Sequence, residues 1–430
     1  VILGLMLVVT LADSLHFRRV LPAVAGGVQA YDTRTESVLD LALGKLIASR
    51  ENSYSRPLAT HGFSKQAVPL PTGAKPALDA QGGVVLPPRA YPRLEHGGAG
   101  LSDPDADWAT DMAVRMTLGT GGGALCSLLL WLSLRRRFHR SGALAWHAAW
   151  VTASVLTLLV AWGIALSWGL GYHVFGTDRT GNDVLYMTLK SIRTAFVIGS
   201  LATVATLPLA LAFGIAAGYF QGWIDDVIQY VYTVLSSVPN ILLIAACVLM
   251  VQVFLDQHPE LFETGLERAD LKIFLLCVIL GLTGWAGLCR LLRAETLKLR
   301  ELEYVQAATA FGASHWRIMR HHILPNVMHL VLITTVLEFS SLILYEAVLS
   351  YVGVGVDPSM NSFGGMINQA RVEMSRDPIV WWSFAAAFVF MVGIVLSANL
   401  FADAVRDAFD PRARVARPVQ RALAQAVRGS

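Results

Sequence analysis

The feature that most constrains this chain is a series of apolar blocks, each long enough to cross a bilayer. A spanning helix needs roughly 20 predominantly apolar residues. Blocks of that order stand at 116–134, 143–170, 195–219, 227–255, 271–289, 326–350 and 378–402. Only 15% of the 430 residues are charged and 54% are hydrophobic, against roughly a quarter charged in soluble domains. The expected fold is all-α and polytopic, because a helix satisfies its own backbone groups where water is absent. The stretch 1–12 is apolar but too short to span. With Val1 rather than Met at its start, it reads as the remainder of a first membrane helix whose beginning is absent, bringing the count to about eight. A signal-peptide core is the alternative.

Several function classes drop out. The formal net charge of +3 is small and the basic residues gather at helix ends, so no nucleic-acid partner is expected. Cys126, Cys247, Cys277 and Cys289 lie in or beside apolar blocks without a CxxC partner. They read as packing residues rather than a disulfide framework or zinc site. No GxxxxGK[ST] occurs, and Gly44-Lys45 is followed by Leu46. With no GxSxG elbow either, no catalytic residue and no cofactor is expected.

The segment 13–115 mixes Pro, Gly, Asp, Arg and Ser without an apolar block. A short helix fits within 31–47, and 64–100 reads as loop. A helix pair over 116–170 follows this insert. Lys and Arg in short loops mark the cytoplasmic side. Arg135, Arg136, Arg137 and Arg140 form one such group, and Arg290, Arg293, Lys298, Arg300, Arg317 and Arg320 a second. Arg406, Arg412, Arg414, Arg417, Arg421 and Arg428 form a third, and 415–430 is a cytoplasmic tail. Counting crossings puts all three on one side and places 13–115 and the mainly acidic 256–270 outside. Arg18 and Arg19 then fall outside, and the turn at 221–226 lacks a basic residue. Long translocated segments largely escape the charge rule. Pro239 should kink or break its span, and Asp377 with Pro378 should open the last one.

The longest cytoplasmic loop, 290–322, is the most informative stretch. Its Ala-rich run from Tyr304 to Ala310 favours helix, and Gly312 permits a turn or a close approach. His321-His322-Ile323-Leu324-Pro325 then leads into the next span, with Pro325 setting the restart. The picture is a helix, a tight turn and a second helix at the membrane surface, shaped to enter a partner's groove.

This stretch resembles the coupling loop of binding-protein-dependent ATP-binding cassette (ABC) importer permeases. Gln306, Ala307, Ala308, Gly312, Leu324 and Pro325 fall in register with that family's pattern. Gln306 replaces the family's Glu, which removes any ion pair from that position. His322 replaces an Ile, with Ile323 beside it. Three more stretches are similar to the peptide/nickel branch. They are Gly176-Thr177-Asp178 through Leu185, with Asn182 where Arg is usual; Gly218-Tyr219 with Gly222-Trp223-Ile224-Asp225; and Tyr345-Glu346 through Gly355 with Asn399 to Pro411. The resemblance covers about 171–414 and fits best the C-type (second) permease subunit; the insert and extra helix pair depart from it.

The resemblance implies a type I importer permease core that pairs with a homologous second permease subunit. Two ABC ATPase subunits dock beneath, and a periplasmic substrate-binding protein delivers short peptides. Ala313, His315 and Arg317 join the residues above as the ATPase-coupling loop. An ion-coupled secondary transporter is the alternative. In the seventh span Thr334, Glu338, Ser341 and Tyr345 share one helical face. Polar groups in a membrane helix avoid lipid, so this stripe is a candidate pathway wall, or else interhelical glue. Glu346 is placed near the outer end, within reach of the interface. His315, His321, His322 and His329 lack metal-ligand spacing, so no metal is expected, and contact with membrane lipid explains them. Arg290 and Arg293 suit either ATPase binding or lipid anchoring.

Overall fold

The computed structural model describes residues 2–20, 31–67, 89–138, 143–168, 171–261 and 265–409. In chain order the elements are α1 (Ile2–Ser14), β1 (His16–Val20), β2 (Tyr31–Ser37), α2 (Val38–Ala42), α3 (Gly44–Ala48), β3 (Gln66–Ala67), β4 (Arg89–Ala90), α4 (Pro104–Phe138), α5 (Ala143–Ser167), α6 (Val184–Phe220), α7 (Gly222–Ser237), α8 (Asn240–Gln257), α9 (Gly265–Gly284), α10 (Ala286–Arg300), α11 (Glu303–Ala310), α12 (His315–Ile318), α13 (Leu324–Val352), α14 (Phe363–Glu373) and α15 (Trp382–Phe409). Within the described residues the chain is all-α apart from two short antiparallel pairs, β1–β2 and β3–β4. Among the described residues six helices are long and apolar enough to span, or seven if α9 and α10, bent by 41°, count as one. The 13-residue α1 is too short to join them. Arg140, Arg412, Arg414, Arg417, Arg421, Arg428 and the 415–430 tail lie outside the described residues.

Two compact units divide the chain: Val1–Arg193 with Gln369–Phe390, and Thr194–Asn368 with Met391–Ser430. In the first unit, Ser37 caps α2 in a reciprocal capping box with Asp40. Its hydroxyl also donates to the buried Asp13 at 2.7 Å. Lys190 pairs with both Asp13 and Asp40 at 2.8 Å. Helices α4 and α5 pack through small residues. A Cβ at Gly119 would stand 2.7 Å from Trp162, and one at Gly123 would stand 2.9 Å from Leu158. A Ser127–Ser154 hydrogen bond of 2.6 Å links the pair, the usual glue where lipid supplies no hydrophobic drive.

The described parts of the hydrophilic segment are held by specific polar contacts. Glu51 accepts the backbone N–H groups of Glu95, His96 and Gly97 at 2.8–2.9 Å. It also meets His173 at 3.4 Å, and His173 meets Asp183 at 2.8 Å on its other ring nitrogen. Burial alone would raise the Glu51 carboxyl, but the His173 bond and the three amides hold it at about 2. Burial alone would lower His173, but Asp183 and Glu51 lift it to about 9. Thr177 donates to the Ser53 carbonyl at 2.8 Å and accepts from the Ser55 amide at 2.7 Å. Tyr54 donates to Glu373 at 2.9 Å, and Trp382 donates to the Thr177 carbonyl at 3.0 Å. Pinning of Trp382, 2% exposed and edge-on to Phe63, corrects one expectation: α15 starts at Trp382, not at Pro378, which stands in the preceding connection after a cis peptide bond. Helix α4 likewise starts at Pro104, before the sequence-based limit of the insert at 115.

The second unit has two apolar cores. One joins Ile198, Ala202, Ile244, Val248, Leu276, Leu280, Leu342 and Leu349 from α6, α8, α9 and α13. The other gathers Tyr219, Tyr232, Leu288, Leu292, Val305, Ile318 and Ile323. Pro239 breaks its span as its missing N–H requires, leaving α7 and α8 as separate helices. Glu346 does not reach an interface. It is 1% exposed and accepts from Ser350 at 2.7 Å and from Ser362.

Candidate functional site: the loop between α10 and α13

Helix α11 ends where its sequence stops supporting helix. Gly312 takes φ +76°, the left-handed region open to glycine. The Gly312 amide donates to Thr309 at 3.0 Å and the Ala313 amide to Ala308 at 3.1 Å, which is the Schellman closure. Ser314 then caps α12 by accepting from the Arg317 amide at 3.4 Å. The restart at Pro325 takes a different form from the expected one. Proline cannot donate to the carbonyl four residues back, and a π turn over Met319–Ile323 absorbs the mismatch, so the helical path runs on into α13. Asn326 ties the two arms by donating to Tyr304 at 2.9 Å and to the His322 carbonyl at 2.6 Å.

The loop has two faces. Val305, Ile318 and Ile323 are buried, and Ala308, Ala313 and Leu324 pack beside them. Ala308 thus packs, partly buried, against this chain's own core. Gln306, Ala307, Gly312, Arg317 and Pro325 are exposed. At the tip Phe311 is 90% exposed and Trp316 69% exposed. Gln306 reaches Glu301, donating to its carbonyl at 3.3 Å and to its carboxylate at 3.5 Å. No atom lies within 4 Å of a Cβ built on Gly312.

Two contacts that the sequence did not announce brace this region. Arg293 holds Asp225 through both carboxylate oxygens, and that bond keeps the Asp225 carboxyl below its ordinary range. Arg293 is thus an internal partner and not a free anchor, while Arg290 stacks on Tyr232 at 5.6 Å. Tyr219 and His315 share a hydrogen bond of 2.9 Å. An acid just after one short turn and an arginine at the head of the long loop were the available signal, but partner choice is tertiary.

The polar stripe is only partly polar in practice. Thr334 and Ser341 spend their hydroxyls on the Leu330 and Leu337 carbonyls, at 2.7 and 3.2 Å. Tyr345 packs against the α6–α8–α9 core. Glu338 is half-buried and has no hydrogen bond or ion pair among the described residues. No group of His, Cys, Asp or Glu able to hold a metal occurs among the described residues.

Residues 210–415 match the family model described as binding-protein-dependent transport system inner membrane component. The chain is 29% identical over 299 residues to the oligopeptide transport system permease protein OppC of Haemophilus influenzae, covering 66% of this chain and 89% of that protein. It is 32% identical over 242 residues to OppC of Mycobacterium bovis, covering 56% of this chain and 77% of that one. It is 29% identical over 240 residues to the glutathione transport system permease protein GsiD of Pectobacterium atrosepticum, covering 56% and 73%. The chain belongs to the binding-protein-dependent inner-membrane component family: it is a multi-pass permease subunit of an ATP-driven importer, whose ATP hydrolysis lies in separate subunits.

Proposed function

We propose that this chain forms one half of a membrane pathway for short peptides, and that the α10–α13 loop docks into a cytoplasmic ATPase subunit. The observation that carries the reading is the two-faced loop. Its inner side is rooted in the apolar core while Phe311 and Trp316 stand bare beside a glycine turn. Adjacent exposed aromatics at a loop tip suit a partner's groove. The other partners are a homologous second permease subunit, a second ATPase and a periplasmic substrate-binding protein, with lipid around the outer helix faces. Short peptides are the substrate class because the relatives are named for oligopeptide, dipeptide and glutathione transport.

The sidedness draws support from which loops meet. The segment before α4 bonds to His173, Thr177 and Glu373, and crossing counts place all of these on the periplasmic side. Tyr219, Asp225, Arg293 and His315 meet one another, and the same count places them in the cytoplasm. Thr334, Glu338, Ser341 and Tyr345 face the pathway in this reading. Glu338 supports it, since an unpaired carboxyl in a membrane helix requires water or a protein partner.

Mechanism follows from linkage. ATP closes the ATPase pair, the docked loops move with it, and the permease halves exchange outward for inward access. The loop must bind its ATPase differently in the two states, or nucleotide could not shift the equilibrium. Proteoliposomes holding the whole complex should accumulate a labelled tripeptide only with ATP and the binding protein. Accumulation by this chain alone under a proton gradient would replace the reading with an ion-coupled secondary transporter.

A further inference from the structure

The α10–α13 loop is continuous with α10 and α13, but α6 reaches it only through space. The end of α6 is nevertheless bound tightly. A Cβ at Gly214 would stand 2.8 Å from Leu292, and one at Gly218 would stand 2.6 Å from Thr296, so α6 and α10 touch backbone to side chain without slack. Asp225, at the start of α7, is clamped to α10 by Arg293. The end of α6, the start of α7 and α10 therefore form one block.

One polar contact leads from this block to the loop tip. His315 is the first residue of α12, just past the left-handed turn at Gly312. Its Nδ1 lies 2.9 Å from the Tyr219 hydroxyl. Its ring lies edge-on to Tyr219 and Phe220, at centroid distances of 5.6 and 5.7 Å. Tyr219 is 6% exposed and belongs to the apolar core, whereas Phe311, on the other side of the turn, is bare. A buried tyrosine hydroxyl needs a partner, and either neutral imidazole tautomer supplies one.

We propose that Tyr219 and His315 are positioning residues that deliver movement of the docked loop to α6, separately from docking itself. The inference rests on the coupling-loop reading above. Force applied at Phe311 passes through the closed turn to His315, and from there to the aromatic end of α6. Neither residue has to touch the ATPase. Docking and coupling therefore come apart experimentally.

The test uses the whole complex in proteoliposomes, with the cognate binding protein purified with its native load. Three quantities are read: co-purified ATPase, basal hydrolysis, and the stimulation of hydrolysis by the binding protein. Tyr219→Phe keeps the ring contacts and removes only the hydrogen bond. It should leave co-purified ATPase and basal hydrolysis unchanged and lower the stimulation about threefold to tenfold, the range one hydrogen bond supports. His315→Asn, whose amide oxygen can replace Nδ1, should retain most of the stimulation. His315→Phe should lose it, and joining it to Tyr219→Phe should add little further loss. Full stimulation in Tyr219→Phe would overturn the proposal. So would a loss of stimulation matched by lost ATPase, since the pair would then merely shape the docking surface. Failure of docking itself is read separately, in variants at Gly312.

Discussion

Arg293 grips Asp225 in a fork, with Nε at 2.5 Å from Oδ1 and Nη2 at 2.7 Å from Oδ2. Paired charge-assisted bonds of this shape are the strong kind. Their side chains are 24% and 11% exposed, so solvent screens them only partly. Asp225→Ala should cost about 1–3 kcal/mol, read as a lower Tm of the detergent-purified chain. Adding Arg293→Leu should restore part of that, because it removes a charge left without its partner. Equal Tm for wild type and Asp225→Ala would show that the fork carries no stability.

The Glu51–His173–Asp183 chain predicts a pH window. His173 is raised from its ordinary 6.5 to about 9, so its contribution is full below about 6.5 and is lost as pH rises through about 9. Glu51 is depressed from 4.5 to about 2, so its contribution is full above about 4.5 and is lost as pH falls through about 2. Hydrogen-exchange protection of the Glu95, His96 and Gly97 amides, corrected for intrinsic rates, should be greatest between about pH 4.5 and 6.5. His173→Gln should flatten the alkaline limb. Protection that rises toward pH 9 would contradict the assignment.

Gly181 has φ +79°, and a Cβ there would overlap the Glu51 carbonyl. Gly181→Ala should cost about 1–3 kcal/mol from backbone conformation alone, with the overlap added. Limited proteolysis should then cut within 31–67 faster than in the wild type. Equal rates of cleavage in variant and wild type would mean that this segment does not depend on the contact.

What the sequence made legible was local. Block length and charge marked the spans, and the Ala-rich run before Gly312 marked the helix and its turn. What it hid was tertiary. Nothing near Glu51 signals that its donors lie at residues 95–97 and its histidine at 173. The helical wheel singled out Glu338, but it gave no hint that Glu346 would be the carboxyl sealed inside, since the Ser362 that meets it lies beyond the helix. Ala308 shows the same limit. Small residues mark close approach, but periodicity cannot say whether the neighbour is this chain or another.

The sidedness has a direct test. In a background without the four native cysteines, Ser64→Cys should react with an impermeant maleimide in intact spheroplasts, and Ala310→Cys should react only after permeabilisation. Both residues are exposed in the chain itself, so with the chain expressed apart from its ATPase partners silence at either is topological and not steric. The reverse pattern would invert the chain and remove the loop from the ATPase side.

The central claim is that the Gly312 turn sits in an ATPase groove, and co-purification of the ATPase with Gly312 variants tests it most directly. Within this chain a Cβ at Gly312 meets nothing within 4 Å. Gly312→Ala and Gly312→Glu therefore share the same left-handed strain, about 1–2 kcal/mol, and differ only in what a partner would feel. Burying an unpaired carboxylate against a partner costs a few kcal/mol more. The account predicts that Gly312→Glu loses most of the co-purified ATPase and its stimulated hydrolysis, while Gly312→Ala keeps the larger part and both insert normally in the membrane. Full ATPase association with Gly312→Glu would contradict it.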